Sequence, residues 1–203
     1  MLTDSNGSIS GHESAGASAG FSLIELMIVL SVLSILFAVG MPALGRLLHD
    51  IEIRGSAEGL RAGLQRARAE AVTRNALVRI SFSNLSGRPA WTLGCVQASV
   101  RCPATISSFS ANADTQIRWG AARWNDQAAL SVALTPGKSL PSGVTFNPLG
   151  VAPGVASNAD ASRIDVTHAL NEKARRLVLM ITAAGAIRLC DPSAASDSIL
   201  RCS

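Results

Sequence analysis

The sequence predicts an α+β protein in which one long N-terminal helix, apolar in its first half and amphipathic in its second, packs on a C-terminal antiparallel β-sheet head. Three observations predict it. Between Glu25 and Arg46 lie 20 residues without a charge, Leu26 to Gly45. Ile53, Ala57, Leu60, Leu64, Ala67 and Ala71 then recur at three- to four-residue steps. From Leu77 onward, short β-type runs alternate with Gly, Pro, Asn and Ser.

The first element is bounded on its N-terminal side by a leader, residues 1–20, MLTDSNGSISGHESAGASAG, too rich in Gly, Ser and Ala to pack a core. The charge-free run that follows is long enough to cross a hydrocarbon layer of about 30 Å as a helix. It does not read as a cleavable secretory signal. Such a signal has a basic start and an apolar core of about 7 to 15 residues, whereas this leader carries Asp4 and Glu13 and neither Lys nor Arg. Arg46, Arg54 and Arg61 all follow the charge-free run, an arrangement opposite to the usual cytoplasmic Lys/Arg excess. Two residues in the apolar half ask for a reason. A carboxylate at Glu25 costs several kcal/mol in lipid unless it finds a partner. Pro42, two residues after Gly40, removes one helical hydrogen bond and can kink or loosen the turn.

The second half continues beyond the membrane. Its apolar stripe is that of a surface helix, and its polar face reads Glu58, Arg61, Arg66, Arg68, Glu70, Arg74, with Arg66/Glu70 and Glu70/Arg74 at i,i+4. Asn75 reads as the C-terminal stop. The expected division is therefore leader 1–20, membrane or filament-core helix 21–45, amphipathic half 46–76 and β-rich head 77–203.

In the head the expected strands are 77–83, 90–96, 115–119, 130–134, 144–147, 163–167, 177–182 and 185–190, the last two forming a hairpin. Stretches 97–114 and 148–162 read as loops. The four cysteines, Cys95, Cys102, Cys190 and Cys202, form an even set, and in an oxidising compartment they suggest two disulfides. Three pairings are open; Cys95 with Cys102 and Cys190 with Cys202 close the shortest loops. Spacings of seven and twelve, with His only at 12, 49 and 168, do not suit a zinc site, so no metal or other cofactor is expected. No nucleophile elbow, metalloprotease or phosphate-loop motif is present, and His168, near Asp165, reads as a surface histidine at a strand end rather than a catalytic base. The net charge of +4 permits an anionic partner without requiring one.

The stretch GFSLIELMIVLSVLSIL, residues 20–36, resembles the leader junction of type IV prepilins and type II secretion pseudopilins. The resemblance implies cleavage between Gly20 and Phe21 and N-methylation of Phe21 by a prepilin peptidase and methyltransferase. It makes Glu25 the fifth mature residue and Pro42 the mid-helix proline, both concerned with assembly. LRAGLQRARAEAVTRNALVRISFS, residues 60–83, resembles the GspH/FimT type of minor pilin and pseudopilin through Arg68, Glu70, Ala71, Arg74 and Asn75, and the C-D-P at 190–192 resembles the FimT/FimU-like tail. The implied fold is pilin-like, with the head in the periplasm, a single pass through the inner membrane, and then a place in a filament. The implied partners are other minor and major pilins or pseudopilins, the processing enzyme and inner-membrane lipid. The implied function is a minor subunit that initiates or caps a type IV pilus. The alternatives are a minor pseudopilin of type II secretion and a DNA-binding minor pilin. For the last, a G-R-x-R hairpin motif would be needed; here Ala186 replaces the first Arg, leaving Arg188 with Arg175, Arg176 and Arg201 as a possible phosphate-contacting set.

Overall fold

The computed structural model describes residues 22–85, 87–136, 143–171 and 174–202, without the side chains at 39–43, 46, 84 and 85. The chain divides into two compact units, Met1–Ala43 and Leu44–Ser203. Helix α1, Leu23–Arg74, contributes to both.

Among the described residues of the first unit, α1 buries no side chain. Every large apolar side chain described from Leu23 to Phe37 is exposed, in all directions around the axis. The hydroxyls of Ser31 and Ser34 donate to the carbonyls of Ile28 and Ser31, both at 2.8 Å, so even the polar side chains of the run are satisfied within the helix. A surface of this kind belongs in apolar surroundings.

In the second unit the stripe Ile53, Ala57, Leu60, Leu64, Ala67, Ala71 is buried to within 1% at every position. Burial of each Ile or Leu contributes about 1.5–3 kcal/mol. Gly63 adds a close approach, because a Cβ there would stand 3.0 Å from the Trp91 ring. The helix ends where the sequence predicts. Asn75 adopts φ 51°, and the N–H groups of Ala76 and Asn75 donate to Ala71 and Val72 carbonyls at 3.2 Å each, a Schellman closure.

Eight strands follow: β1 Val78–Leu85, β2 Arg88–Cys95, β3 Ser107–Ser110, β4 Ile117–Ala122, β5 Gly143–Phe146, β6 Arg163–His168, β7 Leu177–Ile181 and β8 Ile187–Cys190. They form two antiparallel four-stranded sheets, ordered β3-β2-β1-β5 and β4-β6-β7-β8. One core joins the helix stripe to Val78, Ile80, Trp91 and Leu93 of the first sheet and to Ile117, Trp119, Ile164, Val166, Leu179 and Ile181 of the second. The architecture is α+β, a helix on antiparallel sheets.

Three local expectations are corrected. The stretch 97–114 contains β3, an edge strand whose sequence Ser-Ser-Phe-Ser buries no side chain and so shows no hydrophobic alternation. The stretch 148–162 contains a short helix, α2, Pro153–Ala156. Residues 130–134 form no strand, because arginines of the second sheet take up their carbonyl oxygens, as described below.

The disulfides are Cys95–Cys102 and Cys190–Cys202, with Cα separations of 5.7 and 5.0 Å. Loops of 7 and 12 residues give each about 2–3 kcal/mol by restricting the unfolded chain. The β7–β8 turn needs Gly185, at φ 77°, because a Cβ there would collide with the Gly150 carbonyl.

Candidate functional site

The features with assembly chemistry lie at the start of the chain. Gly20 and Phe21 fall outside the described residues. Glu25 sits in the first turn of α1, exposed, where the positive end of the helix dipole favours a carboxylate. The helix continues through Pro42, whose nitrogen has no proton to give a carbonyl of the preceding turn. Among the described residues no helix is long and apolar enough to cross a membrane. The uncharged run Leu26 to Gly45 continues past Ala38 into positions whose side chains lie outside that set, so the span rests on the sequence alone.

The polar face of the amphipathic half does more than solvate it. Arg68 donates from Nε to the Gly150 carbonyl at 2.9 Å, directly beneath the β7–β8 turn. Glu70 lies 2.7 Å from Arg74 and 3.8 Å from Arg66, and Arg74 in turn donates to the Arg101 carbonyl at 2.6 Å, inside the Cys95–Cys102 loop. The A-R-x-E-A segment thus fastens two peripheral loops of the head to the helix.

The outer face of the second sheet holds a charge cluster that the strand pattern conceals. Asp165, fully buried, accepts from Arg163 Nε at 2.7 Å and Nη2 at 2.8 Å, from Arg176 Nη1 at 2.5 Å and from the Leu134 N–H at 3.1 Å. Arg163 also donates to the carbonyls of Ala128 and Val132, both at 2.7 Å, and Arg176 to those of Leu130 and Val132. The segment 128–134 is therefore a lid laid over two arginines, which is why it forms no strand. The signal in the sequence was the spacing Arg163-x-Asp165, two charges on one face of a strand.

This placement corrects the proposed phosphate-contacting set. Arg176 is mostly buried, with its guanidinium committed to Asp165. Arg175 pairs with Asp191 at 2.5 Å. Arg188 is exposed on β8, and Arg201 is exposed in the tail, where its backbone bridges to Asp191. The four do not offer four uncommitted guanidinium groups.

His168 is at the end of a strand but not at the surface, which is a second correction. Its side chain is 1% exposed, stacked on His49 of α1 with ring centroids 4.1 Å apart. Burial, then the nearby His49, push its pKa below the ordinary 6.5 against the opposing pull of Glu52; Arg118 lowers it further. Among the described residues there is no cluster of three side chains fit to hold a metal.

Against known proteins, residues 56–185 match the family described as Type II transport protein GspH, and residues 16–41 match the prokaryotic N-terminal methylation motif. The crystal structure of the type IV minor pilin FimU of Pseudomonas aeruginosa (strain PAO1) is similar in two crystal forms. The TM-scores are 0.47 and 0.46 at 20% and 21% identity, over 72% and 71% of this chain and 94% and 98% of the FimU chains. No significant match to a curated protein was found. The methylation motif, the exposed apolar helix and the helix-on-sheet head together define a minor pilin or pseudopilin, a class of structural subunits that assemble with other pilins. Within that class, the chain belongs to the GspH family.

Proposed function

We propose that this chain is a leader-processed minor subunit that helps initiate or cap a type IV pilus. In this reading residues 1–20 are removed between Gly20 and Phe21, Phe21 is N-methylated, 21–45 waits in the inner membrane as a single pass, 46–76 carries the head, and 77–203 faces the periplasm. The observation that carries the reading is the methylation motif, residues 16–41, overlapping a helix whose large apolar side chains are exposed all round. Such a helix is soluble neither alone nor as a head-bearing anchor in water, and it gains by exchanging lipid for other helices like itself. In the filament, Glu25 would meet the charged amine of Phe21 on a neighbouring subunit, so that two groups costly in an apolar core neutralise each other and set the axial register.

A second reading is favoured by the family description, which points to type II transport, and makes the chain a minor pseudopilin acting in protein secretion. The Cys190–Cys202 tail after C-D-P leans toward the pilus. DNA uptake stands third, with Arg188 and Arg201 as exposed cationic residues. Deleting the gene and scoring surface pili with twitching, exoprotein secretion and transformation in parallel separates them. Loss of pili with secretion intact is the expected result. Loss of secretion with pili intact would replace it with the pseudopilin reading, and loss of transformation alone would favour DNA.

A further inference from the structure

We propose that the stacked His49–His168 pair is an acid-sensitive latch between α1 and β6, closed while the His168 ring is neutral and opened by its protonation. The latch stands on the second unit alone and does not depend on the assembly role.

Its geometry favours the neutral state of His168. Among the described residues, Nδ1 of His168 is buried without a hydrogen-bond partner. Nε2 faces Glu52 Oε2 at 3.6 Å. A neutral ring with its proton on Nε2 leaves Nδ1 as a bare acceptor, which is tolerable; the imidazolium would place a second N–H there with no described group to receive it. The ring also lies on His49, 4.1 Å centroid to centroid at 29°, so a charge on either ring opposes a charge on the other.

The groups around the pair divide unequally. From α1 come His49 and Glu52; from β4 comes Arg118, a permanent cation against the imidazolium. Asn171 contacts His49 Nδ1 at 3.3 Å. Asp50, the next acid on α1, accepts instead from the Arg175 N–H at 3.1 Å, and Arg176, which lines the same cleft as His168, is bound to Asp165. Glu172 and Lys173 of the adjoining turn lie outside the described residues. Glu52 is the one described anion that could rescue the charged ring. It is 41% exposed, beyond hydrogen-bond distance, and already accepts the Thr115 hydroxyl at 3.1 Å, so water screens its attraction while the ring remains dry. Burial, His49 and Arg118 together outweigh Glu52, which agrees with the lowered pKa.

The sign follows from linkage. A folded-state pKa below the unfolded 6.5 means that the folded chain binds fewer protons. The stabilisation is complete above about pH 6.5 and is lost as pH falls through and below it. The contact that yields joins α1 to β4 and β6. Trp119 reports on it, since its indole N–H donates to Ser56 Oγ of α1 at 3.2 Å and Trp119 pairs with Val166 in the sheet.

The test is thermal unfolding of the full chain in detergent micelles, followed by tryptophan fluorescence at pH 7.5 and 5.0, for wild type, His168→Gln and His49→Gln. The wild-type midpoint is expected to fall on acidification by several degrees more than that of His168→Gln. His49→Gln, which removes the ring stacked on His168 and keeps the buried His168 ring, should lie between. Equal falls in wild type and His168→Gln would overturn the latch. Should His168→Gln fail to fold, ring-nitrogen NMR of the wild-type chain decides. Protonation of His168 below 6.5 together with a change at Trp119 supports the latch, and protonation at or above 6.5, or without that change, overturns it.

Discussion

Replacing Asp165 by Asn is expected to lower the stability of the folded chain by about 3–5 kcal/mol, the cost of leaving a buried charge without its partner. The substitution keeps the shape of the side chain and removes its charge. Two guanidinium groups, that of Arg163 with no exposure and that of Arg176 with 13%, then face an amide that can no longer compensate them. The carbonyls of Ala128, Leu130 and Val132 solvate the arginines in part but supply no net charge. Against a total stability of about 5–15 kcal/mol this is a large share. At about 2–4 °C per kcal/mol for a chain of this size, it should lower the melting midpoint by roughly 6–20 °C. The control is Asp126→Asn, which breaks a pair with Arg123 that is 3.6 Å long and 40% and 59% exposed. That change should stay within about 0.5 kcal/mol. Thermal unfolding of the two variants beside wild type gives the comparison, and an Asp165→Asn midpoint no lower than that of Asp126→Asn would remove the cluster from the account of the head.

Glu25→Ala is the second large effect. Glu25 is exposed on the first turn of α1 and is no member of the core of the second unit, so its removal should leave folding of the head and cleavage of the leader intact. In the filament it would leave the amine of Phe21 on a neighbour without a counter-charge in apolar surroundings, a cost of about 2.5–3.5 kcal/mol. That corresponds to about 10²-fold less incorporation at equilibrium. Immunoblotting of sheared filaments against the membrane fraction reads the ratio. Normal incorporation of a correctly processed Glu25→Ala subunit would remove the register role from this residue.

The same residues show what a sequence can and cannot disclose. The stripe from Ile53 to Ala71 was legible because each member meets the core, so burial and periodicity carry the same information. The Asn75 stop was legible because a residue in the left-handed region has few alternatives. The spacing of Arg163 and Asp165 was visible but their burial was not, because alternation in a strand assigns charged positions to solvent, whereas here residues 128–134 fold over them. The same covering made 130–134, apolar enough for a strand, something else. His168 misled for a related reason: the strand end was recognised, but its burial depends on where α1 places His49, more than a hundred residues away in sequence. Arg176, assigned to a surface patch, belongs to the Asp165 cluster. The assembly features were read from motif resemblance, and Gly20 and Phe21 lie outside the described residues.

The proposed function requires that this chain is matured at Gly20 and works inside a filament. The most direct measurement is the N-terminal mass of the protein recovered from sheared surface filaments, with Gly20→Asp alongside. The account predicts N-methylated Phe21 as the first residue of the wild-type subunit, and for Gly20→Asp a precursor that keeps its 20-residue leader and is missing from the filaments. A wild-type subunit that still begins at Met1, or a mature-sized product from Gly20→Asp, would contradict it.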